Sequence, residues 1–104
     1  MSGYGMLMTT LPDKPQAAAM AKYLLAMRLA ACVQLVPVER HYVWKGETQE
    51  AGEYLLLVKT RAGLYEEAIA AIKARHPYET PEIVAGDFTA GFAGYFRWVD
   101  DVTK

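Results

Sequence analysis

The sequence predicts an α+β sandwich in which helices cover one face of a small β-sheet. Strand-type apolar runs alternate with stretches whose apolar residues recur at helical spacing. Turn and capping residues separate these stretches, and the run over residues 55–58 is apolar on both faces, as in a strand covered on both sides. A chain of 104 residues has room for one such core, so we predict a single domain over residues 1–104.

The chain begins with an apolar strand over residues 4–10, and a helix follows it. We predict that Asp13 caps this helix, because Gln16 stands three residues later, as in a capping box. Pro15 fits the first turn, where its missing N–H would have had no partner. The apolar residues of the helix recur at spacings of three and four, which is typical of a helix lying on a sheet: Ala17, Met20, Ala21, Leu24 and Met27.

Residues 31–44 are rich in β-branched and aromatic side chains and predict the second strand. Pro37 lies inside it and removes one hydrogen-bond donor, so this strand should lie at an edge of the sheet or contain a bulge, and the proline should split it into an inner and an outer half. Residues 45–47 (Lys-Gly-Glu) and Gly52 are turn signals, and they predict a polar hairpin connection between them. The third strand then runs over residues 53–60.

Thr60 is predicted to cap a second helix over residues 61–75, which has acidic residues near its start and basic residues near its end. A connector bounded by prolines follows. Residues 83–89 predict a fourth strand, and residues 92–102 carry a third helical stripe.

This order is β-α-β-β-α-β followed by a short C-terminal helix, which is the split βαβ or ferredoxin-like arrangement. Both main helices would cover one sheet face, while the run over residues 55–58 also supplies apolar side chains to the other face. We predict that further copies of the chain cover this second face. In the alternative, the C-terminal helix folds over it in a monomer.

The composition excludes several functional classes. Eleven basic and twelve acidic residues give a net charge of −1, so there is no electrostatic footprint for nucleic acid or for an anionic membrane. No apolar run is long enough for a membrane span, and the N-terminus lacks the pattern of a signal peptide. The single cysteine, Cys32, cannot form an internal disulfide and fits a reducing compartment. We therefore expect a cytoplasmic protein.

The connector over residues 76–82 is the most informative segment of the chain. Its two prolines lack N–H groups and bias the preceding residues toward extended geometry, so the segment should be stiff. It holds a histidine, a tyrosine and two glutamates in fixed positions. Such a segment suits a binding site, but a plain structural joint would look the same.

Several segments, taken in order, are similar to one known family: Thr9-Thr10-Leu11-Pro12, Leu29-Ala30-Ala31-Cys32-Val33, Tyr42-Val43-Trp44-Lys45-Gly46, Lys59-Thr60, His76-Pro77-Tyr78-Glu79-Thr80-Pro81-Glu82-Ile83, and Tyr95 with Trp98. Their order and spacing resemble the CutA divalent-cation tolerance family from about residue 8 to residue 98. The resemblance implies a cytoplasmic homotrimer of ferredoxin-like subunits with a link to copper and other divalent cations. It also implies His76 and Cys32 as metal ligands, although Thr9 and Arg75 replace two ligands suggested in copper-binding members.

Each candidate residue has a second interpretation. His76 could coordinate copper through a neutral imidazole nitrogen, or it could cap the end of the second helix. Cys32 could be a soft ligand or a small buried apolar residue. Glu79 and Glu82 could bind a cation or form ion pairs with Lys59 or Arg61.

Aromatic residues add a further candidate site. Tyr78, Trp44, Tyr95 and Trp98 could line a cleft between subunits, or they could simply pack in the core and interfaces. The polar residues predicted to line the same cleft are Lys59, Glu79 and Glu82. His41 should be solvated.

The sequence holds no readable catalytic constellation. It has no phosphate-binding glycine loop, no dinucleotide fingerprint and no HExxH or CxxC metal motif, so we do not expect an enzyme. Besides an enzyme of unknown reaction, which no residue pattern supports, two functional classes remain. One is a trimeric metal-responsive protein that binds copper or other divalent cations weakly without requiring a cofactor. The other is a trimeric signalling or scaffold protein, similar in architecture to the PII regulators, that binds a small ligand or a partner protein between subunits.

Overall fold

The computed structural model describes residues 2–104 and contains, within them, four strands and three α-helices. In chain order the elements are β1 (Tyr4–Leu11), α1 (Lys14–Ala26), β2 (Cys32–Trp44), β3 (Glu47–Arg61), a 3₁₀ turn (Ala62–Leu64), α2 (Tyr65–Arg75), β4 (Ile83–Asp87) and α3 (Ala93–Val102). This order confirms the predicted ferredoxin-like fold with a short C-terminal helix. None of the helices described is both long and apolar enough to cross a membrane.

The strands form one antiparallel sheet in the order β2-β3-β1-β4. β2 lies at an edge of the sheet, where a strand tolerates a proline, and Pro37 stands opposite Tyr54 of β3. The chain remains paired on both sides of Pro37, so this strand is not divided into two halves.

Helices α1 and α2 pack on one face of the sheet, and their apolar residues form the core with alternate residues of β1 and β3. Asp13 caps α1 as predicted: its carboxylate accepts hydrogen bonds from the Gln16 backbone N–H at 2.9 Å and from the Gln16 side-chain amide at 3.0 Å. These contacts also hold the pKa of Asp13 below its usual value. The largest fully buried side chains include Leu7, Leu11, Leu24, Leu29, Leu56, Val58 and Ile72.

Several predicted boundaries were wrong. Residues 47–52 belong to β3 rather than to a hairpin connection, because the turn is only the pair Lys45 and Gly46, both with positive φ (52° and 81°). Thr60 does not cap a helix, since it pairs with Gly5 inside the sheet.

The ends of three other elements also differ. The fourth strand ends at Asp87 rather than at residue 89, the third helix begins at Ala93, and α2 begins at Tyr65. Met27 lies just beyond α1 and is exposed, because the chain turns there.

β2 and β3 extend well beyond the rest of the sheet. β1 pairs with β3 only from Arg61 to Tyr54, whereas β2 and β3 continue to pair as far as Trp44 and Glu47. Residues 38–53 therefore form a projecting two-stranded ribbon, which we call the outer hairpin. Seven residue pairs at about 3.3 Å each give it a length of about 23 Å.

The sheet face opposite α1 and α2, which we call the open face, is covered at one end by α3. The ring of Phe96 stacks on Tyr4 with centroids 4.3 Å apart, and Arg61 donates a hydrogen bond to the Thr103 hydroxyl at 3.1 Å. The helix does not cover the whole face, since Val36 and Val84 of the same face remain 38% and 47% exposed.

Candidate functional site

The connector over residues 76–82 ties the end of α2 to the end of β1 through the ring of His76. Nε2 lies 2.8 Å from the Thr10 carbonyl oxygen, and Nδ1 accepts a hydrogen bond from the Tyr78 backbone N–H at 3.2 Å. A neutral imidazole protonated at Nε2 satisfies both contacts. Burial lowers the pKa of His76, which favours this neutral form.

The connector was predicted to be either a binding site or a structural joint, and the hydrogen bonds of the His76 ring are contacts of the structural kind. His76 terminates α2, but its ring bonds to the neighbouring strand rather than to the carbonyl groups of its own helix. Both ring nitrogens already have partners within the chain. A metal ion at His76 would have to displace one of these partners.

Beside His76 lies a buried carboxylate, Glu53, whose side chain is 3% exposed. The Tyr78 hydroxyl donates a hydrogen bond to Glu53 Oε2, and Arg40 Nη1 lies 3.3 Å from Glu53 Oε1. Arg40 Nη1 also lies 3.4 Å from the Thr10 hydroxyl. A buried charge needs such partners, so this network holds the connector against the base of the outer hairpin.

The network also affects the ionisation of Tyr78. Burial raises the pKa of this phenol, and the hydrogen bond and the negative charge of Glu53 raise it further. Tyr78 therefore stays protonated and remains a hydrogen-bond donor at neutral pH.

The connector and the outer hairpin enclose an open cleft of about 540 Å³. The Arg40 guanidinium lies 4.3 Å from the centroid of the Tyr42 ring, so a cation and an aromatic face are presented together. The cleft thus offers aromatic walls, a cation and polar groups to a small molecule. Its lining is Arg40, Tyr42, Val43, Trp44, Pro77, Tyr78, Glu79 and Thr80.

Three of the residues predicted to line a cleft meet here, namely Trp44, Tyr78 and Glu79. Tyr42 and Glu53 were not predicted as site residues. Glu53 is distant from the connector in sequence, and only the strand register, which places it opposite Val38, brings it near Arg40.

Four other predicted residues lie at the opposite end of the open face, namely Cys32, Lys59, Tyr95 and Trp98, whereas Glu82 lies in the connector directly before β4. Cys32 pairs with Lys59 in the strand register, and Tyr95 and Trp98 of α3 pack together with ring centroids 5.6 Å apart. Burial raises the pKa of Tyr95, and the nearby Cys32 raises it further.

Cys32 and His76 do not meet within one chain. Lys59, the partner of Cys32, also pairs with Met6, whereas His76 contacts Thr10 four residues further along β1. Four residues of a strand span about 13 Å, which is too far for a shared metal ion.

The predicted ion pairs of the connector glutamates are not found. Neither Glu79 nor Glu82 has a salt bridge to Lys59 or Arg61 within residues 2–104, where Arg61 instead lies 4.0 Å from Asp100.

The fold and the cleft define a small ferredoxin-like α+β protein with a polar, aromatic cleft at the base of a projecting hairpin. A family model described as CutA1 divalent ion tolerance protein matches residues 5–102. The chain belongs to this family.

Similar proteins agree with the assignment. The divalent-cation tolerance protein CutA of Thermus thermophilus is 41% identical over 98 residues, which cover 93% of this chain and 95% of the relative. The structure of the periplasmic divalent cation tolerance protein CutA from Archaeoglobus fulgidus is 33% identical with a TM-score of 0.95, covering 97% of this chain and 99% of that one.

A chloroplastic CutA protein of Arabidopsis thaliana is 35% identical over 96 residues. The match covers 91% of this chain but 53% of that protein, so the chain spans about half the length of this relative.

Proposed function

We propose that the protein is a divalent-cation tolerance protein that responds to metal ions by binding copper or another divalent cation weakly. The observation that carries this proposal is the family match over residues 5–102. Binding rather than catalysis is the proposed activity. The lone Cys32, which suits a reducing compartment, supports a cytoplasmic location.

His76 and Cys32 are the ligands proposed from the family resemblance. At His76 a cation would compete with the Thr10 carbonyl or with the Tyr78 N–H, and each lost hydrogen bond costs about 0.5–1.5 kcal/mol. This competition supports weak binding. Cys32 would require ligands other than His76 of the same chain.

We further propose that the working unit is a homotrimer. One row across the open face consists of Gln34, Leu57, Met8 and Val84, which are opposite one another in the strand register. Covering the apolar members of this row would remove exposed apolar area from water. Size-exclusion chromatography with light scattering should give three times the chain mass at micromolar concentration, and a monomer there would overturn the proposal.

A calorimetric titration with copper(II), with zinc(II) as the comparison ion, tests cation binding. We expect saturable copper binding by tag-free protein. We expect His76→Ala to bind copper more weakly, because it lacks the imidazole ligand. His76→Gln is a useful partner variant, because its amide can keep a hydrogen bond to Thr10 but binds copper poorly. If tag-free protein shows no saturable binding of either ion, the cation-binding function is wrong.

The cleft of about 540 Å³ favours a second candidate function, a signalling or scaffold protein of the PII type that binds a small ligand. Arg40 would attract an anionic group, while Tyr42 and Trp44 could stack on a planar one. A nucleotide should then raise the melting temperature, and metal ions alone should not. Loss of the nucleotide effect in Trp44→Ala would support this use of the cleft, whereas an equal effect in that variant would argue against it.

A further inference from the structure

The two faces of the outer hairpin carry different chemistry. Because side chains of a strand alternate between faces, Arg40 and Tyr42 point to the face that bears the cleft, and Glu39 and His41 point to the opposite face. In the strand register His41 lies directly opposite Glu50. Three side chains with metal-binding atoms therefore share one face of a two-stranded ribbon.

These three groups lie close together. One ligand atom from each of Glu39, His41 and Glu50 falls within 4.8 Å of the other two, and His41 Nε2 is 3.5 Å from Glu39 Oε2. Two ligand atoms that each lie about 2.0–2.2 Å from the same ion are separated by about 3–4 Å. Small rotations of these exposed side chains would therefore bring all three ligand atoms within bonding distance of one ion.

The surroundings leave room for an ion and leave the carboxylates uncompensated. Gly52 stands opposite Glu39, and a Cβ placed on Gly52 would meet nothing within 4 Å. Within residues 2–104 no lysine or arginine forms a salt bridge with Glu39 or Glu50, in contrast to buried Glu53, which pairs with Arg40. Two carboxylates without a cationic partner flank a single imidazole.

We propose that Glu39, His41 and Glu50 form a binding site for a divalent transition-metal ion on the outer hairpin, with water completing its coordination. A donor set of one nitrogen and two carboxylate oxygens suits copper(II) and zinc(II), and copper(II) binds more tightly to most such sites. The inference rests on the proposed cation-binding function, but it places the site on residues other than His76 and Cys32. His41 was expected only to be solvated, and exposure is what makes it accessible to an ion.

Copper(II) titrations of three variants test this site. His41→Ala removes the nitrogen ligand, and Glu50→Gln removes one carboxylate while keeping the shape of the side chain. Glu47→Gln is the matched control, because it makes the same charge change on the same hairpin but on the other face. All of these positions are exposed, so circular dichroism should show unchanged folding.

We expect His41→Ala to weaken copper(II) binding at least about tenfold. Even the loss of a group that only hydrogen-bonds to a metal ligand lowers metal affinity about 10–100-fold. Glu50→Gln should weaken it in the same direction, and Glu47→Gln should bind like the unaltered protein. Electron paramagnetic resonance of the copper(II) complex should show nitrogen coupling that disappears in His41→Ala.

The inference is overturned if His41→Ala keeps both the affinity and the nitrogen coupling. Should His76→Ala alone abolish copper binding, the cation-binding function would stand and the hairpin site would fall. An equal loss in Glu47→Gln would also reject the site, because it would show only a general effect of charge.

Discussion

The hydrogen bond from Tyr78 to Glu53 should contribute measurably to stability, and Tyr78→Phe tests this. The Glu53 side chain is 3% exposed, so water cannot readily replace the missing donor. Hydrogen bonds to charged groups contribute about 1.5–3 kcal/mol, and we expect the free energy of unfolding to fall by that amount. Arg40 remains as a partner of the carboxylate, which keeps the expected loss below that of a fully unpaired charge.

A double-mutant cycle separates this bond from other effects of the substitutions. Glu53→Gln and Tyr78→Phe are measured alone and together, and we expect a coupling energy of about 1 kcal/mol or more, as for residues in one polar network. Tyr95→Phe is the matched control, because Tyr95 is also a half-buried tyrosine and its hydroxyl has no hydrogen-bond partner within residues 2–104. It should change stability by less than about 0.5 kcal/mol.

The assay is equilibrium unfolding in urea at one fixed protein concentration. A fixed concentration is needed because the stability of an oligomer depends on protomer concentration. If Tyr78→Phe unfolds within about 0.5 kcal/mol of the unaltered protein, or if the cycle shows no coupling, then the connector is not held by this carboxylate.

Three further predictions concern the local structure. The pKa of His76 is lowered in the fold, so the unfolded chain takes up a proton first as the pH falls. Between about pH 7.5 and pH 5.5 the unaltered protein should therefore lose more stability than His76→Gln does. Equal losses of the two proteins in urea unfolding would contradict this. Gly5→Ala should lower the free energy of unfolding by about 3 kcal/mol or more, because a Cβ would overlap the Tyr65 hydroxyl and the Gly86 carbonyl. A Cβ on Gly52 has free space, so Gly52→Ala should leave the melting temperature nearly unchanged. Asp13→Ala should cost about 1 kcal/mol by removal of the α1 cap, and Asp13→Asn, which can still accept the Gln16 N–H, should cost less in thermal unfolding.

The fold was predictable because its signals are local. The 3-4 spacing from Ala17 to Leu24 depends only on residues within one helix, and the cap at Asp13 depends on a residue three positions away. Pro37 likewise predicted an edge strand from its missing donor alone. Such features need no knowledge of what lies across the sheet.

The beginning of the third strand, residues 47–52, was missed because its sequence gives no alternation. Thr48, Gln49 and Glu50 are polar at successive positions, since Thr48 and Glu50 are exposed, Gln49 is only half-buried, and no core selects apolar residues near the tip of the outer hairpin. Polarity with turn residues nearby is typical of a loop. Here the pairing with β2 keeps the segment extended instead.

The candidate sites depend on the register of the outer hairpin, and for that reason the sequence alone predicted neither the part of Glu53 in the cleft network nor the grouping of His41 with Glu50. Lys45 and Gly46 both adopt positive φ, which is the geometry of a two-residue turn that fixes the pairing of the strands it joins. A slip of one residue would move every side chain of one strand to the opposite face. It would separate Glu50 from His41 and Glu53 from Arg40 at once, so the cleft network on one face and the proposed metal site on the other both depend on this single turn.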